Sequence, residues 1–233
     1  MQSEDFKTVK GRMLSTEVAQ MFGYDDQKAL RLIAEGADVN VCSAARETPL
    51  MRAAASARTA MIRPLLTAGA EINAQDRDGR TALLHALNGR ASIVAQILIR
   101  EGADVNVAAA SDGMTAFIFA ASNGDMNTLK MLLEAQVDIN AQDHQGQTAL
   151  HWAAMIGRAD IIGKILEAGA DATIKDHSGN MAVDLAQENE FFSGKNILQN
   201  KMRDIFAEKA AAGTSAKRRV IRKKTKAGLD AGR

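Results

Sequence analysis

Two Asp-His pairs are the residues of this chain best placed to do chemistry. Asp143-His144 and Asp176-His177 stand 33 residues apart, and two imidazoles with two carboxylates suggest a metal site. If these segments are spaced like packed helices, they lie about 8 to 10 Å apart, whereas a metal–nitrogen bond measures about 2 Å. Both side chains would have to lean together to share one ion. We therefore expect no metal and no cofactor.

Other catalytic arrangements are missing from the sequence. None of the motifs HExxH, paired CxxC, GxSxG or GxxxxGK[ST] occurs. Several aspartates recur at regular intervals, which is typical of turn-forming residues rather than of paired catalytic carboxylates. These are Asp38, Asp104, Asp138 and Asp171. His85 falls on the helix face predicted to point away from the core. We expect no enzymatic activity.

The composition favours closely packed helices. Charged residues make up 24% and hydrophobic residues 46% of the chain, but aromatic residues only 4%. No apolar run approaches the length of a membrane span, and the N-terminus lacks the apolar stretch of a secretory leader. Cys42 is the single cysteine, so no internal disulfide is possible. We expect a cytoplasmic protein, or a periplasmic or secreted one if a leader preceded this sequence.

Two short motifs recur along the chain and stay in phase. One ends at residues spaced by 33, 33, 34 and 33, and the other begins at residues spaced by 33, 34, 33 and 33. The first motif ends at Asn40, Asn73, Asn106, Asn140 and Thr173. The second begins at Thr48, Thr81, Thr115, Thr148 and the weaker Met181. A shared period indicates a series of equivalent structural units.

These motifs resemble those of the ankyrin-repeat family, over roughly residues 14 to 206. The family's T-P-L-H-x-A signature is matched best by Thr148-Ala-Leu-His-Trp-Ala-Ala154. The resemblance implies an all-α solenoid of about six helix-turn-helix repeats, two of them degenerate caps, with a hairpin-like loop between repeats. It also implies a structural hydrogen-bonding role for His151, which holds the signature histidine position.

The period divides the chain into three parts. We predict an N-terminal extension over residues 1–13, a repeat domain over 14–212 and a basic tail over 213–233. The approximate repeats are 14–42, 43–75, 76–109, 110–142, 143–175 and 176–212. A closing helix is expected to bury one apolar stripe, made of Ile197, Leu198, Met202, Ile205 and Phe206.

Local residue choices support two helices per repeat. Thr148 is suited to cap a helix start, and Gly157 to end that helix with a positive φ. Leu150, Ala153 and Ala154 then share one helix face. The second helix of this repeat, predicted from Asp160 to Ala168, has a similar apolar face formed by Ile161, Ile162, Ile165 and Leu166.

The repeat from residue 43 to 73 departs most from the pattern. Arg46 replaces a loop glycine and Ala57 replaces an inter-helix glycine. Pro64 falls inside the predicted second helix, where it removes one backbone hydrogen bond and favours a kink. We expect this repeat to be the most distorted.

A partner-binding site is predicted around one first helix. The family resemblance implies binding through loop tips and the exposed side of the first helices. At 100° per residue, Trp152, Met155 and Ile156 lie opposite the core stripe, and Phe119 holds the position equivalent to Trp152. Exposed apolar patches mark interaction sites. Trp152 alone fits packing against neighbouring loops equally well.

The loop tips supply a polar rim for this site. Its predicted members are Arg77, Asp78, Arg80, Asp112, Met114, His144, Gln145 and Gln147. The partner we expect is another protein, such as an enzyme, and the free chain is expected to be a monomer.

The basic tail differs in charge from the body of the chain. Residues 217–233 carry a net charge of +7, which leaves −6 for the remainder of a chain with a formal net charge of +1. The cluster comprises Lys217, Arg218, Arg219, Arg222, Lys223, Lys224 and Lys226, followed by Arg233. One interpretation is a disordered, solubilising terminus. The alternatives are an arm for an acidic partner, a nucleic-acid or membrane-surface contact, or a nuclear-import signal.

The sequence as a whole predicts a protein-binding module that acts as adaptor or regulator. A sharper version is a stoichiometric inhibitor or self-protection protein that blocks a partner enzyme. The alternative function is a factor that associates with nucleic acid or an anionic surface through the tail. Nucleic acid is not expected to bind elsewhere on the chain.

Overall fold

The computed structural model describes residues 26–188, 194–201 and 203–204. Residues 26–188 contain helices α1 Asp26–Ala34, α2 Pro49–Ala55, α3 Thr59–Thr67, α4 Ala82–Asn88, α5 Ser92–Arg100, α6 Ala116–Asn123, α7 Met126–Glu134, α8 Ala149–Met155, α9 Ala159–Glu167 and α10 Ala182–Glu188. Residues 194–201 are also helical. None of the described helices is long and apolar enough to cross a membrane. The predicted N-terminal extension, the basic tail, Met202, Ile205 and Phe206 lie outside the described residues.

The helices stack in two rows. Helices α2, α4, α6, α8 and α10, the first helices of their repeats, pack against one another in series. Helices α1, α3, α5 and α7 pack in series as second helices, and α2, α4, α6 and α8 each pack against the helix that follows. The all-α repeat solenoid predicted from the sequence is confirmed.

Threonines set the starts of the central first helices. Thr48, Thr81 and Thr115 have extended backbones, and each hydroxyl oxygen accepts a hydrogen bond of 3.3 to 3.5 Å from the amide three residues later. A cap of this kind contributes about 1 kcal/mol to helix stability. The left-handed Gly157, at φ 70°, follows the end of α8 as predicted. The repeated caps give these three first helices the same start.

The predicted apolar faces form the core. Leu150, Ala153 and Ala154 of α8 are at most 1% exposed. The buried residues of α9 are Ile161, Ile162, Ile165 and Leu166. Burial of each branched side chain contributes about 1.5 to 3 kcal/mol, and small alanines let neighbouring helices approach closely. Because such short helices are marginal alone, packing between repeats supplies most of the stability.

Backbone hydrogen bonds join each loop to the next. An amide of each loop donates to a carbonyl of the preceding loop, at donor–acceptor distances of 2.7 to 3.0 Å. The donor–acceptor pairs are Arg77–Ala45, Ala110–Asp78, His144–Asp112 and His177–Gln145. The loop tips therefore form one continuous, tied edge of the solenoid.

Asparagine side chains also join each repeat to the next one. Each asparagine oxygen accepts from a backbone amide of the next repeat at 2.8 to 3.0 Å. The pairs are Asn40–Glu71, Asn73–Asp104, Asn106–Asp138 and Asn140–Asp171. Asp38, Asp104, Asp138 and Asp171 each accept from the amide two residues later, which confirms their predicted role as turn-forming residues.

Among the described residues, four other than glycine adopt left-handed backbone conformations. Arg46 and Ala57, which replace glycines of the repeat, have φ of 62° and 54°. Arg90 and Gln136, which were not predicted to be left-handed, have φ of 55° and 58°. Helix α3 runs through Pro64 and keeps the same nine-residue length as α5, α7 and α9. Helix length is thus unchanged by the proline.

We expect Gln136→Gly to stabilise the protein by about 0.5 to 1 kcal/mol. A left-handed residue with a Cβ costs about 1 to 2 kcal/mol, and the gain is reduced by the greater freedom of glycine in the unfolded chain. Thermal unfolding should show a midpoint about 1 to 4 °C higher. Gly102→Ala is the reciprocal control, because Gly102 holds the equivalent position at φ 88° with no neighbouring atom near its missing Cβ. A lower midpoint for Gln136→Gly would contradict the assigned strain.

Candidate partner-binding surface

Equivalent positions on four first helices form a row across the solenoid. Arg52, His85, Phe119 and Trp152 occupy the same position in α2, α4, α6 and α8. These helices pack in series, so the four side chains succeed one another along one side of the molecule. The row changes from charged to aromatic along the chain.

Trp152 connects its helix to the adjoining loop. The indole Nε1–H donates to Oδ2 of Asp143 at 2.8 Å, and the half-buried ring packs against the hydrophobic core. Asp143, only 4% exposed, also accepts the amides of Gln145 and Gln147 on Oδ1, at 2.9 and 2.8 Å. Of the two interpretations that the sequence left open for Trp152, the structure shows the loop contact.

Met155 and Ile156 lie beside Trp152 at the end of α8. Ile156 is 38% exposed, one of two large hydrophobic residues that are clearly exposed in the described part of the chain. Met155 is half-buried. The equivalents of Met155 in the preceding repeats are Ala55, Asn88 and Ser122, which are small or polar. The apolar part of this surface therefore lies in the repeat of α8.

Phe119 and Met114 do not lie on the exposed surface. The sequence predicted Phe119 beside Trp152 in an exposed patch and Met114 on the loop rim, yet Phe119 is 7% and Met114 8% exposed. Both side chains belong to the hydrophobic core. Unlike the indole, the phenyl ring carries no N–H group that must be kept near a polar partner, so it can be buried completely in the core.

The other rim residues lie on the tied loop edge. Arg77, Asp78, His144 and Gln145 are exposed, and Gln147 is half-buried. The Arg80 guanidinium bridges two loops through a 2.6 Å contact between Nη2 and Oδ2 of Asp112. The structure thus places these residues along one edge, on the same side as the start of each first helix.

Two further contacts make the N-terminal part of the row polar. Arg52 pairs with Glu47 at 2.7 Å, and Nε2 of His85 lies 2.7 Å from Oδ2 of Asp76. His85 is half-buried against this carboxylate. The nine-residue separation of Asp76 from His85 recurs between Asp143 and Trp152. That recurring separation is the sequence signal that could have predicted both contacts.

Comparison with known proteins identifies the repeat. The family model described as ankyrin repeats (3 copies) matches the chain over residues 17–109 and again over 91–176. The chain belongs to the ankyrin-repeat family. Ankyrin repeats are protein-binding modules, so the chain is assigned to protein–protein interaction. No match was found among the curated proteins.

One solved structure resembles this chain over most of its length. One chain from the structure of the predatory endopeptidase Bd0816 of Bdellovibrio bacteriovorus in complex with the immunity protein Bd3460 is 29% identical to this ankyrin-repeat chain. The TM-score is 0.71, and the match covers 81% of this chain and 97% of that chain.

His151 joins two ankyrin repeats as predicted. Its Nδ1 accepts from the Thr148 backbone amide at 3.2 Å and lies 2.9 Å from the Thr148 hydroxyl oxygen, while Nε2 lies 3.2 Å from the carbonyl oxygen of Asn180. Since a carbonyl only accepts, Nε2 carries the proton and Nδ1 is free to accept. The side chain is 1% exposed. Burial lowers the pKa of His151 below 6.5, although Asn180 and the Asp176 carboxylate act in the opposite direction.

Acidification is expected to destabilise the protein through His151. The pKa of His151 is lower in the folded than in the unfolded state. Between these two values the unfolded chain binds more protons, so the free energy of unfolding decreases as the pH is lowered. The loss begins near pH 6.5 and is at most about 1.4 kcal/mol per pH unit for one proton. Urea unfolding from pH 7.5 to pH 5 should show this slope, and His151→Gln should flatten it. An equal slope in the variant would assign the effect to other groups.

The two Asp-His pairs are not gathered into one cluster. The Asp143 and Asp176 carboxylates accept amides of their own loops. The His144 ring packs against Gly113, and the His177 ring packs against Gly146. Among the described residues, no group of three or more His, Cys, Asp or Glu side chains is arranged to hold a metal ion.

Proposed function

We propose that this chain is a stoichiometric inhibitor that binds a peptidase and blocks access to its active site. The observation that carries the proposal is the match to nearly the whole of one chain in a complex between an endopeptidase and an immunity protein. Such a role needs binding and no catalysis by the chain itself. It is consistent with the ankyrin repeats, which bind other proteins.

The surface around α8 has the anatomy that such binding requires. Ile156, Met155 and the half-buried Trp152 form an apolar centre, and the exposed loop residues His144 and Gln145 lie on its rim. An apolar centre inside a polar rim is the usual arrangement of a protein interface. Arg77, Asp78 and the Arg80–Asp112 pair extend the proposed rim along the earlier loops.

Rigidity favours tight binding by this surface. The loops are joined by backbone hydrogen bonds from Arg77 to His177, so little conformational entropy is lost when a partner docks. A stable interface buries about 800 Å² on each partner, which is more than one repeat alone offers. We therefore place the partner across several repeats, with its main apolar contact at α8.

Inhibition is tested in two steps. The tagged chain is used to capture its partner from an extract of its own organism, and the captured peptidase is separated and identified by mass spectrometry. Its cleavage of a fluorogenic peptide is then titrated with the purified chain. We expect activity to fall linearly and to reach a minimum at equimolar chain.

The titration separates the proposal from its alternatives. A complex that retains full peptidase activity would show an adaptor rather than an inhibitor. If no peptidase is captured, the proposed partner class is wrong. Partner capture that persists in a chain lacking residues 213–233 would place recognition within the repeats, whereas its loss would assign recognition to the basic tail.

A further inference from the structure

Two buried carboxylates each connect a loop to a ring on the neighbouring first helix. Asp143 uses Oδ1 for the amides of Gln145 and Gln147, and Oδ2 for the Trp152 indole. Asp76 repeats the arrangement, with two loop amides on Oδ1 and His85 on Oδ2. In each case one side chain determines both the loop shape and the ring position.

The repeat of α6, which lies between the repeats of Asp76 and Asp143, has neither the carboxylate nor the ring nitrogen. The position equivalent to Asp76 is occupied by Ala109, and the position equivalent to His85 by Phe119. Phe119 has no ring N–H and is buried in the core. A ring with a polar nitrogen therefore occurs in these three repeats only where the loop provides a carboxylate.

The two rings differ in what they can accept as a partner. Indole Nε1–H only donates, whereas an imidazole nitrogen donates or accepts according to its tautomer. Trp152 thus depends on an acceptor at Oδ2 of Asp143, but His85 can adapt to a donor at the same place. This difference provides a test with matched variants.

We propose that Asp143 is a positioning residue for partner recognition. Its carboxylate holds the Trp152 indole and the loop of residues 144–147 in one fixed arrangement, so the apolar centre and the polar rim meet a partner as a rigid unit. The positioning is a property of the free chain. Its consequence for peptidase binding rests on the proposed function.

The free chain is tested first, with Asp143→Asn and acrylamide as a fluorescence quencher. An asparagine oxygen can keep the two loop amides, but its NH₂ group then faces the indole N–H, so two donors oppose each other. Trp152 is the only tryptophan, and its fluorescence reports on this site alone. We expect the quenching constant to rise about twofold or more and the fluorescence anisotropy to fall.

Asp76→Asn and Asp176→Asn are the matched controls. At Asp76 the His85 ring can accept from the new NH₂ group, and at Asp176 the equivalent loop amides of Ser178 and Asn180 are retained. Both variants should leave Trp152 quenching unchanged. If Asp143→Asn also leaves it unchanged, Asp143 does not position the indole.

A failure of Asp143→Asn to fold is resolved by a second variant. Asp143→Asn combined with Trp152→Phe removes the opposed donor, as Ala109 and Phe119 do together in the earlier repeat. We expect circular dichroism to show this double variant folded. Its failure to fold would mean that Asp143 acts through the loop alone and would overturn the proposal.

A double-mutant cycle tests the consequence for binding. With the peptidase captured by the wild-type chain, we expect Asp143→Asn to weaken affinity about tenfold and to have little further effect in a Trp152→Ala background. A tenfold loss that persists in this background would overturn the role of the indole. If the wild-type chain captures no peptidase, the proposed function fails, while the quenching experiment still decides whether Asp143 positions Trp152.

Discussion

Combining Trp152→Ala with Met155→Ala is expected to weaken partner binding at least about 100-fold, equivalent to about 2.7 kcal/mol. Tryptophan is favoured among residues that dominate binding energy, and these two side chains form most of the apolar centre together with Ile156. Affinity of the captured peptidase, measured by calorimetry or by surface-bound kinetics, gives the effect directly. Most of the loss should appear as faster dissociation.

The structure supplies a matched control for this double variant. His85→Ala with Asn88→Ala truncates the equivalent positions two repeats earlier, including a ring that contacts a loop carboxylate. We expect this control to change affinity less than about fivefold. Circular dichroism should show both variants helical, because neither removes a side chain from the fully buried core. Wild-type affinity in the Trp152 and Met155 variant would contradict the proposed site.

The repeat period predicted the fold well because helix positions and core faces depend on local spacing. Leu150 and Ile161 are buried where the 3.6-residue periodicity places them. The threonine caps and turn-forming aspartates act within two or three residues of their own positions, so their roles follow from nearest neighbours. His151 was predicted as a structural residue from its place in the family signature, and its contacts to Thr148 and Asn180 confirm this.

The surface was harder to predict, because side-chain exposure depends on contacts between separate elements. Helix angles placed Phe119 and Trp152 at equivalent positions, yet only Trp152 finds a loop carboxylate and remains half-buried. The left-handed conformations of Arg90 and Gln136 were also missed. The repeat period nevertheless carried a signal, because Arg90 and Gln136 occupy positions that Gly124 and Gly102, both with positive φ, hold in other repeats.

Gly113→Ala is expected to destabilise the protein by about 3 kcal/mol and to disturb the loop that carries Asp143. Gly113 has φ of 75°, which an alanine adopts at a cost of about 1 to 2 kcal/mol. The new Cβ would lie 2.8 Å from the backbone nitrogen of His144 and 3.0 Å from the carbonyl carbon of Asp143. Overpacking of this kind adds about 1 to 3 kcal/mol. Thermal unfolding should show a midpoint about 6 to 12 °C lower.

Gly179→Ala separates the two causes of that loss. Gly179 holds the same loop position with φ of 86°, but no atom lies within 4 Å of its missing Cβ, because no described loop packs over it. Its substitution should cost only the backbone strain, about 1 to 2 kcal/mol. The clash at Gly113 should also move the loop of His144 and increase quenching of Trp152, which Gly179→Ala should leave unchanged. Equal losses in the two variants would mean that the clash at Gly113 costs nothing, since strain alone would then account for both.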